Sequence, residues 1–536
     1  MALFERTNHN KVSIDDTEKL VCYVENTQNI NKHTEYILRV QRGPLKDNKW
    51  HVSHRYSDFA ALNASLQQAA IELPFPPKKF FGNMQPSFIA ERHKLLQIYI
   101  DEVLKCHILA LSLPVRCFLD PLNYNKNIAD EALQTISIAL RGDGRFELKT
   151  LLPDIGWRIR KQYFFVTEAG KHTNYMLSWQ SYGPDKYIDS KNIQAAFKSL
   201  LSISHPYIGK ILAIHNLENG AYVVRNIYEN NTIRDILYGT NYNNSYLIKY
   251  AKPKIRKPFT MGQISYYGEQ ILQALKFLHE KDLPHGHIHP GNVVIENQRA
   301  LLIDIENSLL GGPCFYREFI LEHRKICTME SVDVYCLART MYEMAFAEPL
   351  EKASCDIYPS NDILKLCLST VACKHGMPTI DHLSDQPFFH HTQAISNGQA
   401  AKDDDHLHLK FPVNLKEHLK NNIHFTENRL RKDQKLIRNT KREVRIQEIL
   451  GSEDEVKKHK RRLRKHDSWC RSTSSIAETV RSNSFSTSSS PTPPTMRNRE
   501  STSMSITPVS PQDGRGALLS AICSFDRSKL TNINSH

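Results

Sequence analysis

Near the start of the chain, Leu20 to Val24, Tyr36 to Val40 and Trp50 to Tyr56 are short β-like runs rich in aromatic and β-branched or other apolar residues. Runs of that length and composition predict three strands. Ser57 to Ala69 reads as a helix and Ser87 to Leu104 as a second. Between them, Leu73 to Phe81 is irregular, because its prolines remove backbone donors and turn their predecessors away from helix. Farther on, Ile264, Tyr267, Ile271, Leu275 and Leu278 repeat at helical spacing. They predict a helix with one core face, ending at His279 and leading into the stretch from His285 to Glu306. Leu415 to Leu450 predicts one long charged helix. Ile423, Leu430, Ile437 and Val444 recur there every seven residues. Their companion positions are polar, which favours packing on a lobe or weak self-association over a committed coiled coil. From Arg471 to Pro511 the Ser/Thr/Pro bias predicts a disordered, phosphorylatable tether. Leu518, Leu519, Ile522 and Phe525 then make a short amphipathic turn-and-a-half.

At 536 residues, 40% of them apolar, the chain is long enough for two or three domains with linkers. The net charge of +13 suggests a nucleic-acid binder until its distribution is read. Residues 414–470 hold 17 Lys/Arg against 9 Asp/Glu and residues 471–536 hold 7 against 4, so the excess lies in the tail. No nucleic-acid partner is expected. The run Lys457 to Lys465 is read as a solvated face, an import signal or an aid to anionic-lipid binding, the last best matching the N-terminal part. No apolar run reaches eighteen residues and Met1 to Glu5 has no leader character. Neither a span nor a secretory signal is expected, so membrane contact would be peripheral. Eleven cysteines scattered from Cys22 to Cys523 without a Cys-x-x-Cys read as reduced thiols of a cytosolic protein.

The stretch His285-Gly-His-Ile-His-Pro-Gly-Asn292, followed by Asp304-Ile-Glu306, resembles a protein-kinase catalytic core with parts replaced. Gly286 stands for the Arg of the His-Arg-Asp loop, His287 for the catalytic Asp, and His289 for the Lys that steadies the transferred phosphate. Asn292 and Asp304 remain as the two metal-ligand positions. Glu306 puts a carboxylate where a small residue belongs. Ser331 to Leu337 resembles the segment whose buried Asp caps the catalytic loop, and Gly376 to Thr379 with Gln386 to Phe389 resemble the closing helices. The nucleotide loop keeps only Gly156 between Leu148 and Val166. Trp179 falls at or beside the phosphate-pairing Lys, with Lys186 seven residues on, and the Lys's helical Glu is replaced by Ala196, near Gln194. The resemblance therefore implies a pseudokinase with no catalytic residue. Two readings of Asn292 and Asp304 stay open: weak ATP/Mg contacts, or hydrogen bonding within the fold. The alternative is an atypical ATP-binding serine/threonine kinase rescued by Lys186 or His287. A zinc site on His285, His287 and His289 is disfavoured, because alternate residues of such a loop diverge and no Cys or carboxylate partner is evident.

Three strands, a helix, a Pro-Pro loop and a helix, with His54-Arg55-Tyr56-Ser57-Asp58-Phe59, resemble the phox-homology (PX) domain over residues 17–122. The resemblance implies phosphoinositide binding. Arg55 would hold the 3-phosphate, Tyr56 stack under the inositol ring, Lys78 or Lys79 face the 1-phosphate, and Arg92 meet the ring hydroxyls. Phe75, Phe80 and Phe81 either enter the lipid interface or pack internally. His54 departs from the second arginine of many PX domains.

The expected architecture is α+β and multidomain. A PX fold (17–122) and a connector (123–144) lead to a two-lobed kinase-like domain (145–390). A basic charged helix (414–470), the tether (471–511) and a last motif (512–536) follow, so the chain ends in a largely disordered basic tail. In that motif Arg515, Leu518, Leu519, Ile522 and Leu530 resemble the actin-binding element of the Wiskott–Aldrich homology class, without the lysines after Leu530. The whole order resembles the PX-domain-containing serine/threonine-kinase-like proteins. That resemblance implies a cytoplasmic scaffold at endosomal or plasma membranes, bound to phosphatidylinositol 3-phosphate. It would act in receptor trafficking and sodium–potassium pump regulation and bind monomeric actin weakly.

Overall fold

The computed structural model describes residues 11–30, 33–78, 84–125, 127–228, 231–356, 362–390, 407–451, 457, 458 and 461. Strands β1 (Leu20–Ile30), β2 (His33–Arg42) and β3 (Lys49–Arg55) form an antiparallel sheet in that order. Alternate residues of β1 and β2, among them Cys22, Leu38 and Val40, face a core completed by Phe59, Leu62, Leu96 and Tyr99. The first helix, Tyr56–Leu66, is started by Asp58, whose carboxylate accepts the Arg55 N–H at 2.8 Å. The chain tightens to 3₁₀ over Gln67–Ala69 rather than staying α-helical to Ala69. The second helix runs Pro86–Lys105, its proline in the first turn where the missing N–H costs nothing.

Residues 123–144 are more than a connector. Helix Ile128–Asp143 buries Ile128, Ala132, Ile136 and Leu140 at four-residue spacing. They pack against Phe164, Trp179 and Tyr222 in one core with the second sheet. That sheet contains β4 (Phe146–Leu152), β5 (Lys161–Glu168), β6 (Asn174–Ser181), β7 (Ala213–Asn216) and β8 (Gly220–Asn226), antiparallel in the order β4-β5-β6-β8-β7. Beyond it lie the helix Met261–His279, the hairpin β9 (Val293–Glu296) and β10 (Arg299–Leu302), and the helix Met329–Phe346.

The lobe does not end near His390. Leu409, Phe411, Leu415, Leu419 and Leu430 join its core, and His408 pairs with Ser204. The long helix spans Val413–Gly451. Packing on the lobe, one of the two expected outcomes, accounts for its first half. Most of the tail, including Arg515, Leu518, Leu519, Ile522 and Leu530, lies outside the described residues, as do Lys79, Phe80, Phe81 and the acidic run Asp403 to Asp405.

Candidate functional site: a lipid-headgroup pocket and a filled kinase cleft

On β3 the side chains alternate, so Arg55 is exposed while His54 turns inward. The His54 ring stacks on Phe118 at 3.9 Å and bonds the Phe118 carbonyl at 2.7 Å. It belongs to the packing, so its departure from arginine leaves the exposed face of β3 unchanged. Tyr56 donates to the Pro76 carbonyl at 2.8 Å and stacks on Phe75, which in turn meets Tyr99. Of the three loop phenylalanines, Phe75 is thus an internal packing residue. The Arg92 guanidinium lies 4.1 Å from the Tyr56 ring centroid and its Nη2 donates to the Pro77 carbonyl. Arg92 is buried, and its Nε has no hydrogen-bond partner among the described residues. A buried donor of this kind is costly unless a ligand acceptor completes it. Tyr56, Arg92 and the Pro76–Pro77 turn are brought together, and Lys78 follows at the exposed edge of the same loop.

The catalytic-loop positions form a closed hydrogen-bonded unit. Asp333, fully buried on helix Met329–Phe346, accepts from the backbone of His285 at 3.0 Å and Gly286 at 2.7 Å. The same carboxylate meets His279 Nε2 at 2.7 Å. Gly286 has a φ of +69°, a conformation that glycine adopts without steric cost. His285 Nδ1 accepts from the His287 N–H, which leaves its Nε2–H for the Ile303 carbonyl at 2.8 Å. His289 Nδ1 accepts from Gly291 N–H at 3.0 Å and caps the turn Pro290–Asn292. His287 is 1% exposed, between the Phe315 N–H at 3.3 Å and Arg158 Nε at 3.4 Å. Burial and the neighbouring Arg158 push its pKa well below the usual range. It is sealed from any substrate hydroxyl, so it cannot serve as a replacement base.

Trp179 is not the residue at the lysine's place in the cleft. It joins the core under helix Ile128–Asp143, while its neighbour Gln180 faces Gly312 and Arg158. Lys186 is also elsewhere, with its ammonium 4.4 Å from the Tyr182 ring centroid. The cleft lysine is Lys161, opposite Gln180 in the β5–β6 register. Its Nζ lies 2.5 Å from Asp304 Oδ2. Arg225 on β8 reaches Asp304 at 3.7 Å and Glu306 at 2.5 Å. Burial alone would raise the Asp304 pKa, but Lys161 and Arg225 hold it well below the usual carboxylate range. Asp304 itself has a φ of +62°, a left-handed conformation that Asp tolerates better than most residues.

This closed quartet of two cations and two carboxylates was missed in the sequence, although Glu306 carried the signal: a buried acid in a small residue's place requires a cation. Asn292 Nδ2 donates to the His287 carbonyl at 2.9 Å. Of the two metal-ligand positions, Asp304 is thus paired with Lys161 and Arg225, whereas the Asn292 bond engages only its amide nitrogen and not the Oδ1 that would ligate a metal.

The turn between β4 and β5, where kinases cover the phosphates with glycine-rich backbone, descends into the cleft. Trp157 packs 5.4 Å from the His287 ring and 5.1 Å from Phe315. Arg158 Nη2 donates to Asn307 Oδ1 at 2.9 Å and to the Pro313 carbonyl at 2.7 Å. Backbone bonds from Gly183 N to Leu310 O at 2.8 Å and Asp185 N to Gly311 O at 3.1 Å seal the edge. A Cβ at Gly311 would overlap the Lys186 backbone nitrogen, so glycine is what allows this approach.

The PX domain family model matches residues 44–122. Its match begins after β1 and β2, which complete the sheet upstream. The mouse PX domain-containing protein kinase-like protein is 40% identical over 454 residues, 83% of this chain and 77% of the mouse protein. The chain belongs to this family. A Drosophila melanogaster Slowpoke-binding protein is 32% identical over 235 residues, 41% of this chain and 45% of that one. A probable inactive serine/threonine-protein kinase of Dictyostelium discoideum is 26% identical over 305 residues, 49% of this chain and 51% of that one. The family member is therefore a phosphoinositide-binding PX module joined to a pseudokinase. Among the described residues no helix is long and apolar enough to cross a membrane, and the PX module makes the association peripheral.

Proposed function

We propose that the chain is a membrane-recruited adaptor: the PX module selects phosphatidylinositol 3-phosphate and the closed pseudokinase body presents surfaces to protein partners. The observation that carries the reading is the buried, incompletely bonded Arg92 beside Tyr56, next to exposed Arg55. The ion quartet supports the second half, since it spends Asp304 on structure. Endosomal or plasma-membrane placement, receptor trafficking and contact with sodium–potassium pump subunits are the setting proposed for it. The Drosophila relative's name makes a Slowpoke-type protein a further partner class. The tail motif at Arg515, Leu518, Leu519, Ile522 and Leu530 is proposed to bind monomeric actin weakly, read by titration with a peptide of residues 514–536.

The deciding experiment is liposome flotation with and without phosphatidylinositol 3-phosphate, comparing wild type with Arg55→Ala. Lipid-dependent flotation lost in the variant supports the pocket, and equal flotation refutes it. Lys161 favours one second reading, weak nucleotide and magnesium binding through Asn292 and Asp304, because an ammonium does stand at the cleft carboxylate. Thermal stabilisation by ATP and magnesium, lost in Lys161→Met, would support it. Substrate phosphorylation abolished by Asp304→Asn would instead establish an active kinase.

A further inference from the structure

The long helix meets the kinase-like body through a few core leucines and a larger set of polar contacts. Leu415, Leu419 and Leu430 are its fully buried apolar anchors. Apart from these and the Phe425 ring against Tyr187, the contacts are mainly polar and directional. Asn422 accepts from the Tyr187 N–H at 3.2 Å and donates to the Ser308 carbonyl at 2.9 Å. Glu427 accepts the Met329 N–H at 2.9 Å. Gln434 Nε2 faces the carbonyls of His323 and Ile326, each at 2.8 Å.

At the centre is a charge lattice. Arg429 donates to Asp185 at 2.8 Å and to Asp15 at 2.9 Å, while Arg317 reaches Asp15 at 2.8 Å and Asp433 at 2.6 Å. Burial alone would raise the Asp15 pKa, but Arg317 and Arg429 keep it below the usual range. The fit is incomplete. A cavity of about 50 Å³ remains between Ile423, Thr426 and Leu430 of the helix and Gly286, Gly311 and Cys314 of the body. Asp185 Oδ1 and Ser308 Oγ are buried without a hydrogen-bond partner among the described residues. Native cores close such voids and satisfy such atoms, whereas polar, imperfectly filled contacts characterise interfaces that open.

We propose that this groove is a helix-recognition surface occupied in cis by residues 415–434, and that a partner's amphipathic helix takes it when the long helix leaves. The partner helix would carry a guanidinium for Asp15 and Asp185 and, four residues on, a carboxylate for Arg317, as Arg429 and Asp433 do. The proposal rests on reading the pseudokinase as an interaction platform, and it names the surface, the partner chemistry and the gate.

The test uses the full chain with Arg429→Glu, with Asp433→Arg, and with the conservative Arg429→Lys, under hydrogen–deuterium exchange. A fluorescent peptide of residues 413–440 is the probe partner. In each charge-reversal variant, amides of residues 419–434 and the Met329 N–H that Glu427 holds should exchange roughly 100-fold faster, while the catalytic loop and residues 333–346 keep wild-type protection. The probe should bind Arg429→Glu at least about tenfold more tightly than wild type, and Arg429→Lys, which keeps the charge facing Asp15 and Asp185, should keep most of the protection. Unchanged exchange overturns the proposal, as does loss of protection through the whole lobe with no probe bound. No lipid enters these readouts, so failure of the phosphoinositide reading and failure of this one are separate results.

Discussion

Lys161→Met tests whether the pseudokinase cleft is a structural ion cluster. The side chains of Lys161 and Asp304 are 4% and 10% exposed, and their charged atoms are 2.5 Å apart. Removing one partner of a buried pair costs about 3–5 kcal/mol, because the remaining charge stays desolvated. Arg225 remains 3.7 Å from the carboxylate, which places the cost at the lower end, about 3 kcal/mol. For a folding unit of a few hundred residues this lowers the melting temperature by roughly 6–12 °C.

The assay is chemical and thermal denaturation of wild type, Lys161→Met, Asp304→Asn and the double variant. The double variant should be less destabilised than the sum of the singles by at least about 1.5 kcal/mol. Asp304 has a depressed folded-state pKa, so its contribution is present above the ordinary carboxylate value and is lost as pH falls through the lower folded value. The wild-type advantage over Lys161→Met should therefore be level from about pH 5 to 8 and shrink below about pH 4. Single-variant effects that add within about 0.5 kcal/mol, with a gap that persists in acid, would refute the reasoning.

Arg55→Ala should change stability by less than about 0.5 kcal/mol, since its side chain is exposed and lies 3.8 Å from its Glu35 partner. Binding to phosphatidylinositol 3-phosphate vesicles should fall at least about tenfold in the same variant. Asp333→Ala strips the acceptors from His285, Gly286 and His279 and should cost about 3–5 kcal/mol in urea unfolding; a change under 1 kcal/mol would show that the loop holds without its cap. Burial depresses His205 to about 4 from 6.5, so its folded form resists protonation. Its contribution is present above pH 6.5 and lost as pH falls towards 4, and His205→Phe should flatten the stability profile across that window.

The strands of the first sheet were legible because Leu20–Val24 and Tyr36–Val40 are short runs of apolar, aromatic and β-branched residues, although which alternate positions face the core was left to the fold. That Tyr56 and Arg92 come together was anticipated from the family resemblance rather than from any local pattern, since they lie on separate helices. Asp333 was legible for the same reason, standing at the expected distance from the loop it caps. The extent of the kinase-like body was not. Helix Ile128–Asp143 looks like a polar connector until its apolar stripe meets Trp179 and Tyr222. The half-seam of the long helix likewise left lobe packing and self-association equally open.

By itself the sequence determined the local periods, the motif positions and the losses at Gly286, His287 and His289, all of which depend on neighbours within a few residues. Only the tertiary structure decided which cation answers Asp304. Lys161 and Arg225 stand 143 and 79 residues away from it along the chain, on strands whose register alone aims them into the cleft. The same holds for the lattice of Asp15, Asp185, Arg317, Arg429 and Asp433, assembled from four distant segments. Charge pairing between buried groups acts over a few ångströms of space and carries no periodic trace along the chain.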